Sequence, residues 1–403
     1  MKVPSGVGRE IRGLWGDGKG RLLAVISTGW CLLIGTRMIY PVVLPYLRTA
    51  FDLSLSVAGL LLTTLWLGSA IGQLPGGVLA DRHSERAVMA ASVIVAAAAL
   101  VCVVVATTST VLFVATALFG LGLSQYPIAR ITILTDIYPE QTGSALGVTM
   151  ATGDLGQTIL PPAAGVLAVA VGWHFGLGLA APLLLLVGVA IWTVLPTPVS
   201  EEGAIDALSV ESARRVGDEL RQSNLSFVAF ILFLYIFVWQ SFTGLYPTYL
   251  VEVKGLSSSV ASLLFSVFFA FGVIVKPMAG VGYDWIGIRG SLVAVLVGPA
   301  IALALLPTIE GFWPLVAVTA VVSVMLGSGA ITQSFLADSF SEDTRGTGLG
   351  VIRTGVSTLG AAGPVLLGTI ADLGYFDEGY LALAAILLAV ILLTLRLPKA
   401  GSA

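Results

Sequence analysis

Five charged side chains lie inside long apolar stretches of this sequence, where a lipid bilayer would leave them little water. Four are cations, Arg37, Arg130, Lys276 and Arg353, and one is an acid, Asp154. A charge at the centre of a bilayer costs about 2.5–3.5 kcal/mol on insertion scales, so such residues usually serve a substrate, an ion or each other. The chemistry they offer is the binding of charged solutes and the transfer of protons.

The balance of charge among these five residues favours an anionic solute. A buried cation needs a partner, and four cations against one carboxylate leave the apolar interior with a net positive charge. Asp154 is the candidate for a coupling proton, because the protonation of a buried carboxyl group follows changes in its surroundings. The alternative is a permanent ion pair, in which Arg130 on the adjacent helix neutralises Asp154.

Composition shows what must position these charges. The chain has 403 residues, of which 57% are apolar and only 11% are charged, and its mean hydropathy is +0.97. Soluble domains carry roughly 25% charged residues, so this chain has too little polar sequence to cover a water-soluble globule. Its apolar stretches are each near the roughly 20 residues that a helix needs to cross a bilayer. They lack the short alternating pattern of a membrane barrel.

Twelve apolar segments predict an all-α membrane protein with twelve transmembrane helices. The segments fall at about residues 22–47, 55–80, 87–107, 110–135, 144–170, 174–196, 225–250, 257–282, 290–308, 312–337, 346–371 and 379–395. A long polar stretch separates helices 6 and 7. We therefore expect a cytoplasmic segment, a six-helix bundle, a cytoplasmic linker, a second six-helix bundle and a cytoplasmic tail, at residues 1–21, 22–196, 197–224, 225–396 and 397–403.

The distribution of basic residues predicts the orientation of these helices. With the N-terminus in the cytoplasm, nearly all loop lysines and arginines fall on the cytoplasmic side, and only Arg48 and Lys254 fall outside. Cytoplasmic loops carry this excess in membrane proteins generally. We expect a multi-pass protein of the cell membrane with both termini in the cytoplasm.

The two halves of the sequence repeat one another at an offset of 203 residues. Asp81 meets Asp284, Arg86 meets Arg289, and Pro161 meets Pro364. A fixed offset of this size indicates two structurally equivalent halves, and in transporters such repeats flank a binding site near the membrane midplane. The intramembrane charges do not repeat, since Arg37, Lys276, Arg353 and Asp154 align with Gln240, Gln73, Met150 and Ser357.

The loop after helix 2 carries a specific family resemblance. Residues 77–86, Gly-Val-Leu-Ala-Asp-Arg-His-Ser-Glu-Arg, resemble the Gly-x-x-x-Asp-Arg-x-Gly-Arg-Arg signature of the major facilitator superfamily, although Ser84 and Glu85 depart from it. A sparser copy lies in the second half, at Gly280, Asp284, Gly287 and Arg289. The resemblance implies two pseudo-symmetric six-helix bundles that expose a central site alternately to each side of the membrane.

The resemblance also implies a cytoplasmic gate built from these loops. Asp81 would meet the N-terminus of helix 11, where the helix dipole favours an anion, and Arg82 or Arg86 would pair with Asp136. Glycines at the helix ends would let neighbouring helices approach closely. The full gating set is Gly77, Asp81, Arg82, Arg86, Asp136, Gly280, Asp284, Arg289 and Asp338. The alternative is that these are only loop charges at a membrane edge.

The resemblance to the major facilitator superfamily further implies that helices 1, 4, 7 and 10 line the cavity and that helices 2, 5, 8 and 11 flank it. Each of the five intramembrane charges lies on one of these eight helices. Lys276, Arg130 and Arg353 lie nearer the cytoplasmic side, where a cation can also reach the interface. Arg37 and Asp154 lie near mid-membrane. The candidate substrate-binding residues are Arg37, Tyr40, Arg130, Trp239, Gln240, Lys276, Gln333 and Arg353.

These observations predict a proton-coupled secondary active transporter, working by alternating access, for a small organic anion. A multidrug or hydrophobic-compound exporter of the same superfamily is the alternative, with Asp154 recognising a cation. An alternative of another class is a non-transporting membrane sensor or scaffold. The sequence gives no sign of an enzyme, a cofactor, a metal site or nucleic-acid binding, and its two cysteines are expected to be buried free thiols. We expect a monomer surrounded by membrane lipid.

Overall fold

The protein is an all-α membrane protein, as the sequence predicts. The structure, a computed structural model, describes residues 14–73, 84–196, 223–340 and 345–397, and within these ranges it contains helices and no strand. Nine helical segments of the described chain are long and apolar enough, by length and composition, to cross a membrane. The apolar runs form helices because only helices or closed barrels satisfy every backbone hydrogen bond within lipid.

The helices of the first half follow the predicted segments closely. They are numbered in chain order as α1 (Lys19–Phe51), α2 (Leu55–Ile71), α3 (Glu85–Val104), α4 (Ser109–Ile137), α5 (Thr142–Ala170) and α6 (Trp173–Gly178 continued by Ala180–Val194). Side chains that cap the first turn mark the starts of α3 and α4, since Ser84 accepts a hydrogen bond from the Ala87 N–H and Thr108 from the Val111 N–H.

The helices of the second half are α7 to α12. They are α7 (Ser223–Glu252), α8 (residues 258–286), α9 (residues 288–305), α10 (Phe312–Ser323 and Gly327–Ser339, joined by a 3₁₀ turn), α11 (Arg345–Gly360 and Ala362–Asp372) and α12 (Phe376–Thr394). α8 and α9 run on from one another and separate at Gly287, whose φ of 66° breaks the helix. Such a φ is readily adopted by glycine, and the arrangement is consistent with twelve crossings.

Exposed apolar side chains mark the surface that meets lipid. Trp285 is 80% exposed and Trp313 is 76% exposed, and α6 exposes Leu186, Val189 and Trp192. Soluble monomers rarely expose contiguous apolar patches of this kind. Lipid exposure also accounts for a difference from the sequence prediction, because the free thiol of Cys102 is exposed on α3 instead of buried, while Cys31 is half-buried.

The described chain forms two compact units, which do not coincide with the two halves of the sequence. The first unit takes its described residues from Met1–Ile39 and Gly68–Ala204, and the second from Tyr40–Leu67 and Ile205–Ala403. The end of α1 and most of α2 therefore pack with helices of the second half. The assignment of residues 22–196 and 225–396 to two six-helix bundles stays a prediction.

Within the second unit, the beginning of α2 is fastened to the end of α11. The carboxylate of Asp372 accepts hydrogen bonds from the backbone N–H groups of Leu55, at 2.7 Å, and Ser56, at 2.8 Å. These N–H groups have no partner within their own helix, and the dipole of α2 favours an anion there. We call this contact, with Gly368 beside it, the α2–α11 clasp.

Two further contacts hold the same segment within the second unit. Arg48, near the end of α1, forms an ion pair with Glu252 at the end of α7. The Thr63 hydroxyl on α2 donates a hydrogen bond of 2.6 Å to the Ala361 carbonyl of α11. Sequence separations of about 200 to 300 residues explain why helix periodicity alone did not reveal these contacts.

The described residues do not show the close approach expected at Gly280. Gly280 was expected to let two helices approach closely, but a Cβ placed there would meet no atom of the described chain within 4 Å. Close approach occurs instead at Gly368, where an added Cβ would overlap the Leu55 carbonyl. The reason is that the helix face at Gly280 is partly open, whereas α11 packs directly on the start of α2.

Replacement of Gly368 tests the clasp. In Gly368→Ala the new methyl group would force α2 away from α11, and overpacking of this kind costs about 1–3 kcal/mol. We expect a lower midpoint of thermal unfolding for the detergent-purified variant. Gly355→Ala is the matched control on the same helix, because its Cβ would meet open space. Equal unfolding midpoints for the two variants would contradict the clasp.

Candidate functional site

A buried arginine on α4 is the centre of the candidate site in the first unit. Arg130 is only 6% exposed, and its guanidinium carbon lies 4.1 Å from the ring centroid of Trp30 on α1. Its Nη1 donates a hydrogen bond of 3.1 Å to the hydroxyl of Thr149 on α5. Three helices therefore meet at one guanidinium, which α4 carries and to which α1 and α5 each contribute one side chain.

Tyr126 extends this cluster by one turn of α4. It lies four residues before Arg130, so the two side chains share a helix face. Its ring stacks on Trp30 with an interplanar angle of 18° and a centroid separation of 6.3 Å, and its hydroxyl donates to the Ile26 carbonyl at 2.7 Å. The tyrosine thereby ties α4 to α1 beside the arginine.

Glycines make room for the aromatic members of the cluster. A Cβ at Gly153 on α5 would overlap the indole nitrogen of Trp30, and a Cβ at Gly29 would overlap the hydroxyl of Tyr126. Small residues at such positions let membrane helices approach closely. The Trp30–Tyr126–Arg130–Thr149 group, here called the arginine cluster, depends on this close packing of α1, α4 and α5.

Physical chemistry explains why the arginine cluster is tolerated inside apolar helices. A desolvated guanidinium over a tryptophan face gains about 2 kcal/mol, and a hydrogen bond to a charged group adds about 1.5–3 kcal/mol. These terms offset part of the cost of burying the charge. A guanidinium has five N–H donors in a rigid fork, and the Thr149 hydroxyl takes one of them. The group is suited to recognising a carboxylate.

Asp154 and Arg37 flank the arginine cluster on α5 and α1. Asp154 is half-buried next to Gly153, and its Oδ1 accepts a hydrogen bond of 3.1 Å from the Nε2 of Gln157. Arg37 is half-buried, seven residues after Trp30 and so two turns along the same face of α1. The structure thus brings three of the five predicted intramembrane charges onto adjacent helices of one unit.

The aromatic candidates of the second unit take part in packing. Trp239 on α7 contacts Trp66 on α2 edge-on, with ring centroids 5.1 Å apart, and Tyr40 is fully buried. Gln240 is 2% exposed, and its Nε2 lies 3.5 Å from the Ser357 carbonyl of α11. Among the described residues, the indole nitrogen of Trp239 and the Oε1 of Gln240 have no hydrogen-bond partner.

The remaining substrate-binding candidates lie on more open surfaces of the second unit. Lys276 on α8 is half-buried, while Gln333 on α10 and Arg353 on α11 are exposed. None of these three belongs to the arginine cluster, which lies in the first unit. Their role in binding stays a prediction.

The proposed gate is only partly described. Gly77, Asp81, Arg82 and the side chain of Asp338 lie outside the described residues. Asp136 and Asp284 are exposed, and Arg289 is half-buried.

Arg86 has other partners than the expected Asp136. Its Nη1 lies 3.4 Å from the Leu195 carbonyl, and its guanidinium carbon lies 4.7 Å from the ring centroid of Trp192. The gating role of the whole set stays a prediction.

Sequence reasoning missed Trp30, Tyr126 and Thr149. Aromatic and hydroxyl side chains are common on packed membrane helices, so residue type alone does not distinguish them. Helical spacing was the available signal, because Trp30 shares a face of α1 with Arg37, and Tyr126 shares a face of α4 with Arg130.

Comparison with known proteins agrees with this fold. A hexuronate transporter of Bacillus subtilis is 26% identical over 364 residues, which cover 84% of this chain and 84% of the relative. A gentisate transporter of Corynebacterium glutamicum is 27% identical over 414 residues, covering 95% of this chain and 90% of the relative. The crystal structure of a D-xylose-proton symporter has a TM-score of 0.78 at 14% identity, covering 95% of this chain and 99% of that one, which shows the shared fold.

Most of the helices described above lie within the match of this sequence to one protein-family model. The family model of the Major Facilitator Superfamily matches residues 25–335, which is more than half of the chain and includes the signature loop, the arginine cluster and α7 to α9. This chain therefore belongs to the Major Facilitator Superfamily.

Proposed function

We propose that this protein is a secondary active transporter that carries a small organic anion across the cell membrane by alternating access. The observation that carries the proposal is the arginine cluster, a guanidinium buried by α1, α4 and α5 and held there by Trp30 and Thr149. A charge in this position is costly, and recognition of an oppositely charged solute accounts for that cost.

A carboxylate is the anion that best fits this arrangement. Arginine and carboxylate groups form paired, charge-assisted hydrogen bonds that are about twice as strong as neutral ones and are specific in geometry. Arg37, two turns from Trp30 on the same face of α1, adds a second positive charge to the first unit. Lys276 and Arg353 in the second unit leave its membrane segments positive as well.

The relatives support an organic anion as the substrate class. Two similar proteins are named for the transport of hexuronate and gentisate, and both of these compounds are carboxylates at neutral pH. The alternative function is an exporter of lipophilic cations. The membrane segments offer such a cation one acid, Asp154, and four repelling cations.

Asp154 is the proposed carrier of a coupling proton. It is the acid that lies well inside a predicted transmembrane helix, and Gln157 donates a hydrogen bond to it from the next turn of α5. Binding of the anion beside Asp154 would change the charge around the carboxyl group, which links substrate binding to protonation. We further propose a monomer with both termini in the cytoplasm.

Ligand binding to the purified protein tests the substrate class. We expect D-glucuronate or gentisate to raise the midpoint of thermal unfolding, because a ligand that binds only the folded state stabilises it. In Arg130→Gln we expect about 10- to 100-fold weaker binding, since the lost charge-assisted hydrogen bonds are worth about 1.5–3 kcal/mol. Arg21→Gln, at an exposed position near the start of α1, is the matched control and should bind like the wild type.

Two outcomes of this titration would reject the proposal. One is stabilisation by lipophilic cations alone, abolished by Asp154→Asn, which would indicate the exporter. The other is anion binding that is equally strong in the wild type and in Arg130→Gln.

Transport assays test the role of Asp154. In proteoliposomes, Asp154→Asn should abolish uptake of D-glucuronate or gentisate driven by an imposed pH gradient, because an amide cannot exchange the coupling proton. Exchange of labelled for unlabelled anion at equal pH should continue at a rate within a factor of about 10, since no net proton movement is required. Glu140→Gln, at an exposed position after α4, should leave both activities intact. Undiminished gradient-driven uptake by Asp154→Asn would exclude Asp154 as the coupling site.

A further inference from the structure

The indole of Trp30 lies against the guanidinium of Arg130, but other residues hold the indole in place. Tyr126 stacks on it with rings nearly parallel, at 18°, and the hydroxyl of Tyr126 is itself fixed by the Ile26 carbonyl. On the α5 side, the missing side chain of Gly153 leaves the space that the indole nitrogen occupies. The ring therefore offers a fixed surface instead of a mobile one.

Two contacts of different kinds help to place the guanidinium of Arg130. Trp30 contacts it through the ring face, with 4.1 Å between the guanidinium carbon and the ring centroid. Thr149 contacts it through one edge, by a hydrogen bond of 3.1 Å to Nη1. The first contact restricts the distance of the group from α1, and the second restricts its rotation.

The difference between face and edge matters for binding a carboxylate. An arginine donates its hydrogen bonds within the plane of the guanidinium, along its edges, whereas an aromatic ring attracts the group electrostatically through the ring face. Trp30 can therefore orient Arg130 without taking a hydrogen-bond donor from it. An arginine on a flexible stem loses rotamer entropy when it is immobilised, and an arginine that is already held loses less on binding its ligand.

We propose that Trp30 is a positioning residue for anion binding, which orders the Arg130 guanidinium before the substrate arrives. This inference rests on the proposed function and extends it to a residue that does not itself need to touch the substrate. The competing explanation is that Trp30 only fills space between α1, α4 and α5.

The two explanations differ in what a replacement side chain must supply. Filling space requires an apolar group of suitable size, so leucine and phenylalanine would serve similarly. Positioning requires an aromatic face, so Trp30→Phe should retain much of the effect, whereas Trp30→Leu should lose it. An additional difference is that positioning acts through Arg130 and has no effect once that arginine is gone.

The experiment measures binding of D-glucuronate and gentisate by calorimetry, and the exchange of each in proteoliposomes. In Trp30→Leu we expect the Kd and the KM to rise about 5- to 30-fold, the range expected from the loss of an arginine–tryptophan contact. The maximum exchange rate should stay within about twofold, because the residue acts on binding. Trp30→Phe should raise the KM by less than about fivefold, since phenylalanine keeps a weaker aromatic face.

Double variants and a control isolate the coupling between the two residues. In an Arg130→Gln background, Trp30→Leu should cause no further rise in KM, which is the signature of two residues that act as a unit. Trp313→Leu replaces a highly exposed tryptophan at the start of α10 and should bind and exchange like the wild type. If Trp30→Leu does not fold, Trp30→Phe with and without Arg130→Gln provides the same comparison.

Failure of the inference and failure of the proposed function give different results. If Arg130→Gln loses anion binding, three results would each overturn the positioning role. They are additive effects of the Trp30 and Arg130 replacements, equal losses of affinity in Trp30→Leu and Trp30→Phe, and unchanged affinity in Trp30→Leu. If the wild type binds neither D-glucuronate nor gentisate, the proposed function is overturned, and the inference with it.

Discussion

A guanidinium buried among apolar helices has to be satisfied by the protein, and this constraint organises the first unit. Arg130 carries a guanidinium charge that the surrounding apolar side chains cannot solvate. The protein meets the constraint with one aromatic face from α1 and one hydroxyl from α5. The glycines at positions 29 and 153 then follow, since larger residues would displace the aromatic rings from the places where they hold the arginine.

At the α2–α11 clasp in the second unit, the charged side chain that contacts another helix is an anion instead of a cation. There an acid, Asp372, satisfies the unpaired N–H groups at the start of α2. In both places a charged side chain of one helix contacts a polar or aromatic group of another helix.

The sequence predicted the helices and selected Arg130, which is buried, but it did not predict the partners of that charge. Hydropathy located the transmembrane segments, and residue type alone selected Arg130 and Asp154, because a charge within an apolar run is conspicuous. Trp30 was not selected, since a tryptophan on a membrane helix is most often packing or an interfacial anchor. The attachment of residues 40–67 to α7 and α11 also escaped prediction, because it joins residues about 200 to 300 positions apart and leaves no local periodicity.

The central claim is that positive charge in the membrane interior of this carrier recognises a negatively charged organic solute. Its most direct test is to compare D-glucuronate with D-glucose, which lacks the carboxylate, as ligands of the same purified wild-type protein. We expect saturable binding of D-glucuronate, with D-glucose at least about 10-fold weaker, the difference expected for one charge-assisted contact. Equal affinity for the two sugars, or preference for D-glucose, would contradict it.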